Sequence, residues 1–300
     1  MKIHKTKADM ALDFVIYFVM LFVILVTLYP FLNVLAVSLN DSTDALRGAN
    51  FIIPRVFTLS NYRALARYPN LSHSFVISVL RTVVGTVTCV IASSMVAYTL
   101  SRKEYIFRHF VSVLFVITMY VSGGLIPVYM LIRDVHLINS FWVYILPSLV
   151  GTFNVIVIRS FMDGLPYSLQ ESASMEGAND FVIYYRIVMP LCLPVIATIA
   201  LFVAVGQWNS WFDTYLYNNA KPELSTLQYE LMKVLQSTSA GSAQSLSKAN
   251  ANAAVQSFNT VTPQTIRMTI TVVATVPILL VYPFLQKYFV TGLTIGAVKS

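Results

Sequence analysis

LPYSLQESASMEGANDFVIYYRIVMP, Leu165 to Pro190, is the stretch whose reading decides the fold. It is a polar island between two strongly apolar runs, one ending near Phe161 and the other beginning near Val188. The island holds Glu171, Glu176 and Asp180, while its flanks are nearly pure hydrocarbon. Such flanks are stable as helices in lipid, where every backbone polar group must be satisfied within its own segment. The island then lies outside the membrane.

The island itself reads as two short helices joined by a turn. Pro166 suits a helix start. Ser168 and Glu171 have the S-x-x-E spacing of a capping box. Gly177 is placed to end the first helix in the left-handed conformation. Asn179 can cap the next helix, which runs toward Pro190 and the following apolar run. Ala173, Met175 and Ala178 offer small or apolar contact positions. Two readings follow from the residues alone. The island is a knob that fills a partner's groove, or it is a connector in which Glu171 only caps a helix.

Composition places the rest of the chain. The 300 residues are 57% hydrophobic and only 11% charged, against about 25% charged in a soluble domain. The net charge of +7 does not indicate nucleic acid, because the basic residues are scattered and sit mostly at the ends of apolar runs, where they anchor helices against headgroups. Cys89 and Cys192 fall within apolar runs and read as packing residues. The first apolar run is too long for a signal-peptide core and has no small-residue cleavage site after it.

Working outward gives an all-α polytopic membrane protein, a single transmembrane domain over 1–300. Six runs long enough to cross about 30 Å of hydrocarbon lie near 14–36, 75–100, 110–132, 141–161, 188–211 and 268–289. The second holds Gly85, Ala92, Ser93, Ser94 and Ala97, small residues that let helices approach closely in lipid. The third holds Gly123, Gly124 and Pro127, which predict a break or kink. Two long polar segments, 40–72 and about 213–265, lie outside the membrane. In the second, Leu224, Leu227, Leu231 and Leu235 recur at helical spacing. Residues 237–260 are rich in Ser, Ala, Gln and Asn, which fits either a flexible segment or an exposed helix.

An even number of spans puts both termini on one side. Lys2, Lys5 and Lys7 lie in the N-terminal tail, and Arg102, Lys103 and Arg108 in the turn after the second run. The short loop 133–140 on the other side has only Arg133; the long segments there hold eight more basic residues (Arg47, Arg55, Arg63, Arg67, Lys221, Lys233, Lys248 and Arg267), but long loops count little. The excess of positive charge marks the cytoplasmic face, so both termini and the loop 165–190 are expected there, with 213–265 extracytoplasmic.

The island resembles the EAA loop of ABC-importer permeases, a pattern of E-A-A, a Gly six residues after the Glu, then I and L-P. Glu171, Ser172, Ala173, Gly177, Ile187, Met189 and Pro190 stand at the matching offsets. Ser172 replaces the middle Ala and Met189 the Leu. SGGLIPVYMLI (Ser122–Ile132), Trp208-Asn209 and the terminal GLTIGAVKS also resemble permeases of carbohydrate importers. They are similar to the maltose-importer type, and most closely to its LplC/YtcP branch for oligosaccharides. The similarity spans nearly the whole chain and is weakest over 213–265.

The resemblance implies the type I ABC importer permease fold in a bacterial cell membrane. It implies that Glu171, Ala173, Gly177 and Ala178 couple the bundle to a dimer of ABC ATPase subunits, with the tail Gly296–Ser300 reaching between them. A second, related permease completes the pathway and an extracytoplasmic sugar-binding protein delivers the carbohydrate. The chain has no G-x-x-x-x-G-K-[ST] loop. ATP and Mg therefore belong to the ATPase partners, and the chain is expected to hold no cofactor, no metal and no catalytic residue. Sugars present apolar faces and hydroxyls together, so aromatic, amide and hydroxyl groups make a sugar path. The candidates are Tyr120, Tyr129, Asn154, Gln207, Trp208, Asn209 and Trp211. Asn154 and Gln207 stand out, because amides in apolar runs face a cavity or a partner helix. Aromatic residues at the boundary also suit an interfacial belt. Arg81, Arg133 and Arg159 lie near span ends and read as anchors.

Two other classes of apolar, polytopic protein make different demands on the sequence. An ion-coupled secondary transporter places carboxylates or His within the membrane, and here Asp13, Asp163 and Asp213 lie near span ends. A membrane enzyme needs a catalytic constellation, and His4, His73, His109 and His136 stand apart in loops or at span ends, with no H-E-x-x-H pattern.

Overall fold

A computed structural model of the chain describes residues 7–45, 47–48, 52–68, 70–244 and 262–297. The described residues are helices and turns, with one isolated bridge between Asn40 and Phe57. Most of the Ser/Ala/Gln/Asn-rich stretch and the last three residues lie outside them. Contacts divide the chain into two units, Met1–Pro69 with Val234–Val276, and Asn70–Lys233 with Pro277–Ser300.

The first unit begins with α1 (Lys7–Ser38). Its segment Leu12–Ser38 is 27 residues of high hydropathy, and its most apolar stretch has no buried residue. A helix that is apolar on every face belongs in lipid or against a partner. The segment after it is ordered around Asn61, whose amide donates to the carbonyls of Ser38 and Asn40, both at 2.9 Å. Ser42 Oγ donates to Asn61 Oδ1 at 2.9 Å and meets Thr265 Oγ1 at 3.1 Å. This knot places the short helices α2 (Ser42–Ala45) and α3 (Ser60–Ala66) in a stretch that composition presents only as a polar loop.

In the second unit α4 (Leu71–Ser101) is the spine. Its small residues Ser93, Ser94 and Ala97 are fully buried, which lets neighbouring helices approach closely, as the sequence predicts. Against it pack α7 (Thr152–Asp163) and α11 (Leu193–Asn209). Ala97, Val155, Ile158, Ile183, Cys192 and Ile199 form the centre of that core. Cys89 and Cys192 are free and buried.

Three runs expected as single spans are bent. The third is α5 (Arg108–Tyr120) and α6 (Leu125–Asp134), at 117° to one another. This exceeds a kink: the chain reverses through Val121–Gly124, with Gly124 at φ +84°, a conformation glycine adopts without strain. The fourth opens with the tight turns Phe141–Tyr144 and Leu146–Ser148, at 46° to α7. The fifth comprises α9 (Asp180–Ile183), a wide π turn (Tyr184–Val188) and α10 (Met189–Leu191), then bends 82° at Cys192 into α11. Pro190 and Pro194 lack the amides that would carry one helix straight through.

Among the described residues, three helices are therefore long and apolar enough to cross a membrane, or up to six where each bent pair is one span. The segment read as the loop 213–265 begins with structure: α12 (Phe212–Tyr217), a turn at Pro222–Leu224, and α13 (Leu227–Gln244). The leucine repeat is real there, with Leu227 and Leu231 each 1% exposed. The last helix, α14 (Pro263–Ala297), like α13, belongs in part to each unit.

Candidate functional site

The polar island forms α8 (Ser168–Met175), a turn, and α9. The turn is a Schellman motif. The Ala178 amide donates to the Ala173 carbonyl and the Gly177 amide to the Ser174 carbonyl, both at 3.0 Å. Gly177 sits at φ +84°, and the pattern satisfies carbonyls that the helix end leaves open. Ala173 is buried and Ala178 half-buried against the same core. Three of the four loop residues singled out in the sequence, Ala173, Gly177 and Ala178, thus form one device.

The fourth, Glu171, lies on the exposed face of α8. The capping box does not form. The residue ahead of the helix is Tyr167, its backbone is helical, and no side chain caps the helix there. Ser168 already sits inside the first turn, so its hydroxyl is not placed to cap. Glu171 is left with a free outer face beside Met175, which is 88% exposed. The other cap forms as expected: Asn179 Oδ1 accepts from the Val182 amide at 2.9 Å.

Arg102, the residue just past α4, fastens this loop to the spine. Its guanidinium donates to Gln170 Oε1 of α8 at 2.7 Å and pairs with Asp180 of α9 at 3.1 Å. Gln170 is only 6% exposed. One turn back along α4, the Tyr98 ring lies against Tyr184 at 5.4 Å, and Ser94 Oγ meets the Tyr184 hydroxyl at 2.7 Å. The Tyr167 hydroxyl donates to Glu104, and Lys103 Nζ lies 4.6 Å from the Tyr167 ring. That hydroxyl holds Glu104 below the ordinary carboxylate range, and the same bond raises Tyr167. The start of α8 and the start of α9 are thereby tied to the chain that leaves α4.

A second polar cluster centres on Arg81, which is 2% exposed. Arg81 Nε donates to Gln207 Oε1 at 2.8 Å and Nη1 to the Ser210 carbonyl at 3.3 Å, and Nη2 pairs with Asp213. The guanidinium also lies 4.5 Å from the Tyr144 ring centroid. The Gln207 amide donates to Ser148 Oγ at 3.0 Å and the Tyr144 carbonyl at 3.4 Å. A Cβ on Gly85 would come within 3.0 Å of Gln207, so the glycine makes room for it. Gln207 faces partner helices, the second of the two surroundings expected for such an amide.

The other path candidates are dispersed. Asn154 is half-buried, and its amide approaches Cys89 Sγ at 3.6 Å. Trp208 is buried, edge-on to Phe75 at 5.9 Å, beside an apolar cavity of about 210 Å³ lined by α4, α11 and α14. Asn209 is exposed at the end of α11, and Tyr120 is 84% exposed at the end of α5. Tyr129 stacks on Tyr217 at 5.9 Å, and Trp211 stands edge-on to Phe212. Arg133 pairs with Asp134, and Arg159 with Asp163.

Sequence reasoning passed over Arg102 and Arg81. The signal for Arg81 was present: it falls seven residues into an apolar run, where an ionised side chain needs a partner. Arg102 was read only as a topology charge. Among the described residues no three His, Cys, Asp or Glu side chains group to hold a metal ion.

Apolar helices packed on a small-residue spine, with a short outward-facing helix whose start is tied to the end of that spine, define a polytopic membrane protein. The chain is 38% identical to the polygalacturonan/rhamnogalacturonan transport system permease protein YtcP of Bacillus subtilis (strain 168), over 96% of this chain and 98% of that protein. It is 36% identical to the protein LplC of the same organism, over 99% and 98%. Its structure is similar to a chain of a bacterial ABC transporter involved in the import of the acidic polysaccharide alginate. There the TM-score is 0.82 at 26% identity, covering 96% of this chain and 100% of that one. No protein-family model matches. The chain belongs to the family of carbohydrate ABC-transporter permeases, and is an integral membrane protein of its LplC/YtcP-like branch. It is a transport subunit and not an enzyme.

Proposed function

We propose that the chain forms one half of the translocation pathway of an ATP-driven oligosaccharide importer, and that α8 is the handle by which ATPase subunits move it. In this reading six spans place both termini and residues 165–190 in the cytoplasm. A second, related permease supplies the other half, and an extracytoplasmic binding protein delivers the sugar. ATP and Mg are bound by the ATPase dimer. The names of YtcP and of the alginate importer support a poly- or oligosaccharide substrate.

The observation that carries the proposal is the mounting of α8. Its outer face, with Glu171, Ser172 and Met175, is open. Its inner face is held by Ala173 in the core and by the Gln170–Arg102 bond. A push on the exposed face is passed to α4 through Arg102 and to α9 through the Gly177 turn, rather than absorbed by a slack loop. The bundle can then alternate between outward-facing and inward-facing states as the ATPases close and open.

In the sugar path, Asn154, Gln207, Trp208, Asn209 and Tyr120 divide by their surroundings. Asn209 and Tyr120 keep polar groups on open surface and are the direct contacts in this reading. Gln207 and Trp208 shape the wall behind them. Co-purification tests the assembly: the tagged chain should bring down an ABC ATPase and a second permease. Uptake of labelled oligogalacturonate into vesicles containing the whole complex then tests the substrate class. A chain that transports sugar without any ATPase would overturn the proposal.

A further inference from the structure

Beside the handle lies a cavity of about 370 Å³, walled by Lys103, Arg108, Arg159, Asp163, Tyr167 and Gln170. Three cations face one carboxylate there. Asp163 is committed to Arg159 at 3.4 Å, and Lys103 keeps its ammonium over the Tyr167 ring. At Arg159 and Asp163 this basic cavity meets a second one, of about 280 Å³. The second is mainly apolar and runs between α5 and α7, along Phe115, Val116, Val155 and Ile156. Arg159 stands at the junction and donates to Ser112 of α5.

The order of these residues along their helices gives the pair a direction. From Arg108, α5 leads to Val116 in eight residues, about 12 Å of helix. From Asp163, α7 leads back to Ile156 and Val155 over a similar distance. The basic end thus lies at the membrane boundary and the apolar groove descends into the hydrocarbon. A free phosphate would need the first cavity and have no use for the second. An acyl chain joined to an anionic headgroup fits both.

We infer that this pair of cavities binds an anionic phospholipid, its phosphate among Lys103, Arg108 and Arg159 and one acyl chain between α5 and α7. Basic pockets between helices on the cytoplasmic side have this chemistry, so the inference rests on the orientation proposed above. A zwitterionic lipid leaves the excess positive charge unanswered. Lys103 and Tyr167 then join the lipid to the start of α8.

The test uses the complete chain, in whatever complex it purifies with, in phosphatidylcholine nanodiscs doped with phosphatidylglycerol carrying a diazirine on its acyl chain. Photolabelling should mark peptides of α5 and α7, and unlabelled phosphatidylglycerol should suppress it where phosphatidylcholine does not. Lys103→Gln and Arg108→Gln should each weaken competition about fivefold. Arg133→Gln, at a paired arginine elsewhere, should leave it unchanged. Equal competition by phosphatidylcholine, competition by inorganic phosphate, or labelling indifferent to both substitutions would overturn the inference. If either variant melts early, the two-lipid competition on the unaltered chain decides. Labelling needs no ATPase, so loss of the importer reading and loss of the lipid site register separately.

Discussion

The Ala173 carbonyl accepts the amide proton of Ala178 at 3.0 Å, across a turn that only the left-handed Gly177 makes easy. This bond closes α8 and sets the angle at which α9 leaves it. The small residues of the motif are explained by it, because both alanines press against the core while the glycine turns the chain.

Gly177→Val should weaken this turn. Nothing lies within 4 Å of the added Cβ, so the cost is conformational, about 1–2 kcal/mol for a non-glycine residue held left-handed. Hydrogen exchange of the amides of 174–178 should rise by about tenfold, with no change in α4. Unaltered exchange would show that the motif is not what holds the loop.

Arg102→Gln should loosen the handle without removing it. It deletes the bond to Gln170 and the ion pairs with Asp180 and Glu104, about 1–2 kcal/mol of local stability given that both carboxylates are largely exposed. The ATPase should still co-purify, while uptake per ATP hydrolysed falls severalfold. Full coupling in this variant would place the transmission elsewhere.

The expectation for Arg81→Met is a folding defect. Arg81 is buried while Asp213 is half-exposed and keeps the Ser210 hydroxyl, so the loss is about 2 kcal/mol, with the Gln207 carbonyl oxygen left short of its donor. The melting temperature in detergent should drop, and Asp213→Asn in the same chain should restore part of it. An unchanged melting temperature with lost transport would instead make Arg81 a substrate contact.

Acid should release the start of α8. Glu104 titrates below the ordinary carboxylate range because it accepts the Tyr167 hydroxyl. A depressed carboxylate contributes its stability above the unfolded pKa and loses it as pH falls through the folded value. Exchange protection of residues 167–170 should therefore hold at neutral pH and decline only in acid below the usual Glu range. Glu104→Gln should abolish that decline.

Much of this was legible because lipid imposes simple rules. Apolar length marked the long helices, Gly123–Gly124 and Pro127 marked the break between α5 and α6, and the loop pattern located α8, its glycine turn and the Asn179 cap. What failed, failed for local reasons. The Ser168–Glu171 spacing is right for a capping box, but the helix starts one residue too early for Ser168 to stand outside it. The 82° bend at Cys192 needs Pro190, Pro194 and the π turn together, and no single residue announces it. The roles of Arg102 and Arg81 depend on partners 68 to 132 positions away, which one-dimensional patterning does not bring together.

The most direct test of α8 as the handle replaces Glu171, on its open face, with Lys. Sugar uptake and ATP hydrolysis are measured together on the whole importer in vesicles. The account predicts a chain that folds and inserts normally, with uptake per ATP lowered at least about tenfold, as for a central interface residue. Uptake per ATP equal to that of the unaltered importer would contradict it.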